Sequence, residues 1–168
     1  MNFRLAKKDD LPQLKEMYKK IVKRMDDMDI KIWNEYYPYE MFKEDIDKKQ
    51  LYLLVENKII LAAFVMSIEK DMESDLGWEE PEAQAMYINR IGVNVDYIGK
   101  GLGLLLLEEI KKITKENKLD YIRLLVVKSN TPAINLYLKA GFKQVSGIWK
   151  EDIVPGKVLY EYGFEIKV

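Results

Sequence analysis

Met86-Tyr87-Ile88-Asn89-Arg90-Ile91-Gly92-Val93-Asn94-Val95-Asp96-Tyr97-Ile98-Gly99-Lys100-Gly101-Leu102-Gly103 is the stretch around which this 168-residue chain is organised. Met86, Ile88, Ile91, Val93 and Val95 give its first part an apolar, partly alternating pattern, which predicts a buried strand. The alternation breaks at Arg90-Ile91 and Gly92 follows, so a bulge or splay is expected there. After Gly103, Leu106, Ile110 and Ile113 recur at helical spacing. Glu108, Glu109, Lys111, Lys112 and Lys115 fall mostly on the other side, so an amphipathic helix is expected. The stretch reads as strand, glycine turn and helix.

Gly99, Gly101 and Gly103 let the backbone bend sharply and let a ligand approach the main-chain N–H groups. The first N–H groups of the following helix lack intrahelical partners and lie at the positive end of its dipole. Together these features make an anion site, most often for phosphate or pyrophosphate, and Lys100 adds a positive charge. The plainer alternative is a tight turn that uses glycine only for its dihedrals. Gly101 follows Lys100 where a P-loop needs Ser or Thr. A dinucleotide fingerprint needs a third glycine where Leu104 or Leu106 stands. Neither of those phosphate sites fits.

Length, at 168 residues, points to one domain spanning 1–168 with room for a core. Composition is that of an ordinary globular protein, 48% hydrophobic and 33% charged. With 27 basic and 28 acidic residues, no global field points to nucleic acid or a membrane. The chain has no cysteine and no histidine. Disulfides, a thiol nucleophile, Ser-His-Asp catalysis and the usual zinc sites are therefore excluded. A general base must be a carboxylate, a tyrosine, a lysine, a terminus or a water. No signal-type apolar core opens the chain and no apolar run is long enough to span a bilayer, so the expected location is cytoplasmic.

Outward from the organising stretch, Asn2 to Ala6 reads as a strand. A helix follows, capped by Asp9 or Asp10, with Pro12 in its first turn and Leu11, Leu14, Tyr18, Ile21, Val22 and Met25 as its apolar stripe. A second helix is expected over residues 39–49, with Met41, Phe42 and Ile46 inward. Leu51–Val55 and Ile59–Ile68 read as a hairpin around Asn57-Lys58. Residues 69–82 read as an acidic loop. Tyr121–Val127 is a strand. Thr131 is the expected N-cap of a short helix with Pro132 next and Gly141 at its C-terminal stop. Phe142–Trp149 and Val158–Ile166 complete the chain as strands joined at Pro155-Gly156.

Two motifs carry a family resemblance. Ile98-Gly99-Lys100-Gly101-Leu102-Gly103 resembles motif A of the GNAT superfamily, Arg/Gln-x-x-Gly-x-Gly/Ala, with Ile98 departing from the usual Arg or Gln. Asn130, Ala133, Leu136, Tyr137, Gly141 and Phe142 match its motif B, Asn-x-x-Ala-x-x-Leu-Tyr-x-x-x-Gly-Phe, at the family's distance. The resemblance implies an α/β fold of the α+β type. A single GNAT-like domain is expected, with a central twisted mixed sheet of about six to seven strands flanked by about four helices. It implies a CoA-dependent N-acetyltransferase using acetyl-CoA as co-substrate and no metal. Backbone at Ile91, Gly92 and Val93 would pair with the pantetheine arm and polarise the thioester carbonyl. The N–H groups of Gly99, Lys100, Gly101, Leu102, Gly103 and Leu104 would hold the pyrophosphate. Asn130 would contact the cofactor, and Tyr137 would protonate the departing thiolate, the plainer alternative being a core aromatic on an amphipathic helix.

The resemblance leaves the base unnamed. One branch of the family carries a glutamate on the strand before motif B, where Leu124–Val127 is apolar here. Another carries an acid on the central strand, where Tyr87 and Asn89 stand. Glu79, Glu80 and Glu82 could reach an acceptor or form a solvated loop. Trp33, Tyr36, Tyr37 and Tyr39 could wall an acceptor pocket or pack between helices. The acceptor is a small-molecule or peptide amine, with polyamines, aminoglycosides, amino acids and peptide amines all open. A homodimer is compatible with the sequence. Two other classes stay in play, a non-catalytic acyl-CoA sensor of the same fold and a nucleotide-binding regulatory domain.

Overall fold

The computed structural model describes residues 1–68, 76–154 and 157–168, with backbone only at 152–154 and 157. The first part of the expected 69–82 loop and the Pro155-Gly156 connection lie outside the described residues. Contacts group the chain into two compact units, Met1–Met66 with Asn89–Leu106, and Ser67–Ile88 with Leu107–Val168. Two elements run through both: β4 (Ala85–Val93) and α3 (Leu102–Glu116).

In the first unit, β1 (Asn2–Leu5), β2 (Leu51–Glu56) and β3 (Ile59–Ser67) form successive antiparallel pairs, and β4 follows β3 in the sheet. Asn57 and Lys58 make the β2–β3 turn with φ of 48° and 67°, the left-handed pair that a two-residue hairpin of matching twist requires. The core of this unit joins Leu14, Met17, Tyr18 and Ile21 of α1 (Leu11–Asp27) to Phe42 of α2 (Phe42–Asp47) and to Leu51, Leu53, Ala63 and Val65. Helix α2 is shorter than expected. Residues 39–41 form a 3-10 turn, Met41 is exposed, and Lys49 adopts a φ of 58° that ends the helical run. Asp10 stands at the N-cap of α1, but its carboxylate accepts from Arg4 at 2.8 and 2.7 Å and from the Lys7 N–H at 2.7 Å. Two parallel bonds from a guanidinium outcompete a cap bond from a neutral backbone N–H.

In the second unit, β5 (Tyr121–Val127) runs parallel to β4 over Ala85–Tyr87 and antiparallel to β8 (Lys157–Lys167) along its full length. The other edge of β8 is taken in series by β6 (Lys143–Gln144) and β7 (Trp149–Val154). The expected Phe142–Trp149 strand is thus divided. Pairing stops after Gln144, Ser146 bridges to Gly77, Gly147 turns with φ 93°, and pairing resumes at Trp149. This division brings the mixed sheet to eight strands among the described residues, in the order β1-β2-β3-β4-β5-β8-β6, with β7 on β8. With α4 (Thr131–Lys139), four α-helices among the described residues complete the α/β fold.

The end of the acidic loop is core, which its composition hid. Leu76 and Trp78 are buried in a cluster with Tyr87, Tyr121 and Val145. A Cβ at Gly163 would fall 2.9 Å from Trp78 Cη2 and 2.8 Å from Val145 Cγ2, so only glycine lets these side chains reach β8.

Candidate active site

The break in the alternation of β4 falls at a left-handed residue, the backbone signature of a bulge. Arg90 has a φ of 53°, a left-handed conformation for a non-glycine residue inside a strand. The turned-out Arg90 carbonyl accepts a 2.6 Å hydrogen bond from the Tyr18 hydroxyl. Gly92 is required beside it, because a Cβ there would lie 2.7 Å from Tyr18 Cζ and Oη and 3.0 Å from Ile21 Cδ1. Arg90 itself makes a bidentate pair with buried Asp45 of α2 at 3.1 and 2.7 Å. Tyr18, read from sequence only as part of an apolar stripe, therefore holds the bulge at Ile91, Gly92 and Val93. Tyr18→Phe removes the donor and strands a carbonyl in the interior. It is expected to lower the unfolding free energy by about 1–3 kcal/mol in denaturant titrations.

Beyond the bulge, Asn94 anchors the turn. Its N–H donates to the Leu61 carbonyl at 2.9 Å, its Nδ2 to the Ile60 carbonyl at 3.0 Å, and its Oδ1 accepts from the Asp96 N–H at 3.1 Å. Gly99 and Gly101 have φ of 84° and 75°, conformations that favour glycine. Both are exposed, and a Cβ on either would project into open space. The Gly101 carbonyl accepts from Leu105 N–H at 3.1 Å, which starts α3. The N–H groups of Leu102, Gly103 and Leu104 thus lie in the first turn, where a helix has no acceptors of its own. Lys100 Nζ lies 4.6 Å from the Tyr97 ring centroid.

In the second unit the Asn130–Phe142 segment is a capped helix. Asn130, not the expected Thr131, is the N-cap, its Oδ1 accepting from Ala133 N–H at 3.3 Å. At the other end Gly141, with φ 89°, donates to the Leu138 carbonyl at 3.1 Å and Phe142 to the Tyr137 carbonyl at 3.0 Å. That pair of bonds is a Schellman motif, and its usual apolar contact is the Tyr137–Phe142 ring pair at 5.9 Å. Tyr137 also packs 6.0 Å from Phe164. Burial raises its phenol above the ordinary tyrosine range, so the hydroxyl keeps its proton at neutral pH.

The acidic candidates separate by what holds them. Tyr121 donates to Glu80 at 2.9 Å and Lys167 reaches it at 3.4 Å, which keeps the Glu80 carboxyl below the usual range. Glu165 pairs with the fully buried Arg123 at 3.3 Å and accepts from the Glu79 N–H at 2.7 Å. Glu82 and Tyr87 line one open cleft. Glu161 of β8 is half-buried, and burial with the nearby Glu151 pushes its carboxyl up to about 7. Sequence reasoning passed over Glu161, whose only signal is a carboxylate within the apolar Val158–Ile166 run. Of the aromatics before α2, Trp33 packs 5.5 Å from Tyr18 and Tyr39 packs 6.3 Å from Phe42, while Tyr36 and Tyr37 are exposed. No helix among the described residues is long and apolar enough to cross a membrane.

A bulged central strand, a glycine turn opening a helix and the parallel β4–β5 pair define an acetyltransferase fold. Residues 14–142 match the Acetyltransferase (GNAT) family, and the chain belongs to that family. Among solved structures, a candidate acetyltransferase from Staphylococcus aureus Mu50 is 26% identical, with 99% of each chain covered and a TM-score of 0.71. The ribosomal-protein-alanine N-acetyltransferase from Brucella melitensis is 17% identical over the whole of both chains, with a TM-score of 0.69. The yncA protein from Salmonella typhimurium, solved with its cofactor acetyl-CoA, is 16% identical over 99% of this chain and 93% of its own, with a TM-score of 0.70. No match to the chain is found among curated proteins.

Proposed function

We propose that this protein transfers an acetyl group from acetyl-CoA directly to a primary amine of a small molecule or peptide. The observation that carries the reading is the pair of left-handed glycines, Gly99 and Gly101, immediately before α3 in a member of the GNAT family. The amides of Gly99 to Leu104 hold the pyrophosphate. The bulged main chain at Ile91, Gly92 and Val93 pairs with the pantetheine arm and polarises the thioester carbonyl. Asn130, whose Oδ1 caps α4, offers its amide nitrogen to the cofactor. Tyr137 donates its proton to the leaving thiolate. The relative named for ribosomal-protein alanine supports including an N-terminal alanine peptide among trial acceptors.

Mass spectrometry of small molecules released on denaturing the purified protein should detect CoA or acetyl-CoA. A thiol-release assay over a panel of polyamines, aminoglycosides, amino acids and peptides should then identify the acceptor. A protein that carries neither molecule and shows no thermal shift with acetyl-CoA would be a different kind of family member. Bound acetyl-CoA with no turnover across the panel would favour the sensor role.

Direct transfer has its own check. The chain has no cysteine and no histidine, so the usual enzyme nucleophiles are scarce. Intact-mass analysis after incubation with acetyl-CoA alone should show no stoichiometric acetyl adduct on a site residue. An adduct that forms and decays at a competent rate on adding amine would mean a two-step mechanism instead.

A further inference from the structure

We propose that Glu161 is the general base of this transfer, taking the proton of the acceptor amine at the end of β5, on the sheet face opposite Tyr137. The inference rests on the transferase reading above and goes beyond it by naming the residue that activates the acceptor. Among the described carboxylates of the second unit, Glu165 is committed to Arg123 and Glu80 to Tyr121 and Lys167. Glu161 is half-buried, yet no hydrogen bond or ion pair engages it among the described residues. Burying an unpaired carboxylate opposes folding, and such groups cluster where chemistry needs them.

The strand register gives its position. Glu161 lies directly across from Val127, the last residue of β5, and across from Trp149 of β7. The chain continues from Val127 through Lys128 and Ser129 to Asn130 and into α4, which carries Tyr137. Tyr137 packs on Phe164, whose partner across β5 is Leu124. Positions 161 and 164 on β8, like 127 and 124 on β5, are an odd number of residues apart and so point to opposite faces. One side chain thus approaches β5 from each face, so a group lying against this strand could be met by an acid from one side and a base from the other.

The charge environment agrees. On the Glu161 face, β7 contributes Glu151 and otherwise Trp149, and β5 contributes Leu125 and then Arg123, which is held by Glu165. Lys128 and Lys150 lie over the rings of Tyr162 and Tyr160, on the opposite face. With Arg123 taken up by Glu165 and no other cation facing it among the described residues, burial and Glu151 hold the carboxyl near 7, suited to accepting a proton at physiological pH.

In the step, the amine nitrogen forms a bond to the acetyl carbon and loses one proton to Glu161. The carbon–sulfur bond breaks, its electron pair goes to sulfur, and sulfur takes the proton of Tyr137. Exchange with solvent returns a proton to Tyr137 and removes one from Glu161. The products are the acetamide and CoA thiol.

Glu161→Gln keeps the shape and removes the base. With an amine from the panel, kcat is expected to fall about 10²-fold or more, with the KM for acetyl-CoA nearly unchanged. Wild-type kcat/KM for the amine should rise with pH through about 7, and the variant should lack that limb. Stability supplies a second readout. The folded-state pKa lies above the ordinary 4.5, so stability is lost as pH rises through the folded value. Glu161→Gln should therefore raise Tm above pH 7 and leave it little changed near pH 4. Wild-type turnover in the variant with the pH limb retained, or a Tm lowered at every pH, overturns the assignment and leaves the transferase reading intact. A wild-type protein that binds no acetyl-CoA and acetylates no amine overturns both.

Discussion

Tyr137→Phe is expected to lower kcat by about 10²-fold while leaving the KM for acetyl-CoA nearly unchanged. The substitution is clean because the fold uses the ring and the backbone of this residue, not its hydroxyl. The ring packs on Phe142 and Phe164, and the Tyr137 carbonyl takes the Phe142 N–H that closes the end of α4. Phenylalanine keeps all three contacts, so Tm should stay close to wild type. Burial raises the phenol pKa, which guarantees the proton is present but makes the acid weaker. That weakness places the expected loss at the lower end of the usual range for a positioned acid. Single-turnover measurement of thiol release is the decisive assay, since product release cannot mask it. Wild-type single-turnover rates in the variant would reduce Tyr137 to the packing residue of a Schellman cap.

Gly101→Val is expected to weaken acetyl-CoA binding by an order of magnitude or more in calorimetric titration. A Cβ at this position meets nothing within 4 Å in the protein itself, so steric crowding of the free protein is not the cause. The cause is the φ of 75°, which a β-branched residue adopts only at a cost of roughly 1–2 kcal/mol or more. The turn would relax away from it, and the N–H groups at the start of α3 would lose their aim. Each 1.4 kcal/mol of lost interaction is about tenfold in Kd. Circular dichroism should confirm that the variant folds. An unchanged Kd in that folded variant would remove the pyrophosphate from this turn. Lys100→Ala should cost much less, because Lys100 is exposed and an exposed charge contributes little.

The features legible in sequence are those whose causes lie within a few residues. The glycine turn is written in the dihedrals that Gly99 and Gly101 permit. The bulge is written in the break at Arg90-Ile91, and the end of α4 in the Tyr137–Phe142 spacing, which is that of a Schellman cap. Each is a local conformational preference, so reading neighbours is enough. The acetyltransferase family follows from the order of those local devices. What tertiary structure decided depends on partners far along the chain. Tyr18 looked like one more apolar-stripe residue until the Arg90 carbonyl, 72 positions away, met its hydroxyl. Leu76 and Trp78 looked like part of an acidic loop until Gly163 made room for the tryptophan on β8. The final strands divided because Ser146 found Gly77. Glu161 became distinctive only through its register opposite Val127 and Trp149. A carboxylate's pKa is set by what desolvates it, and neighbouring strands do that, not neighbouring residues.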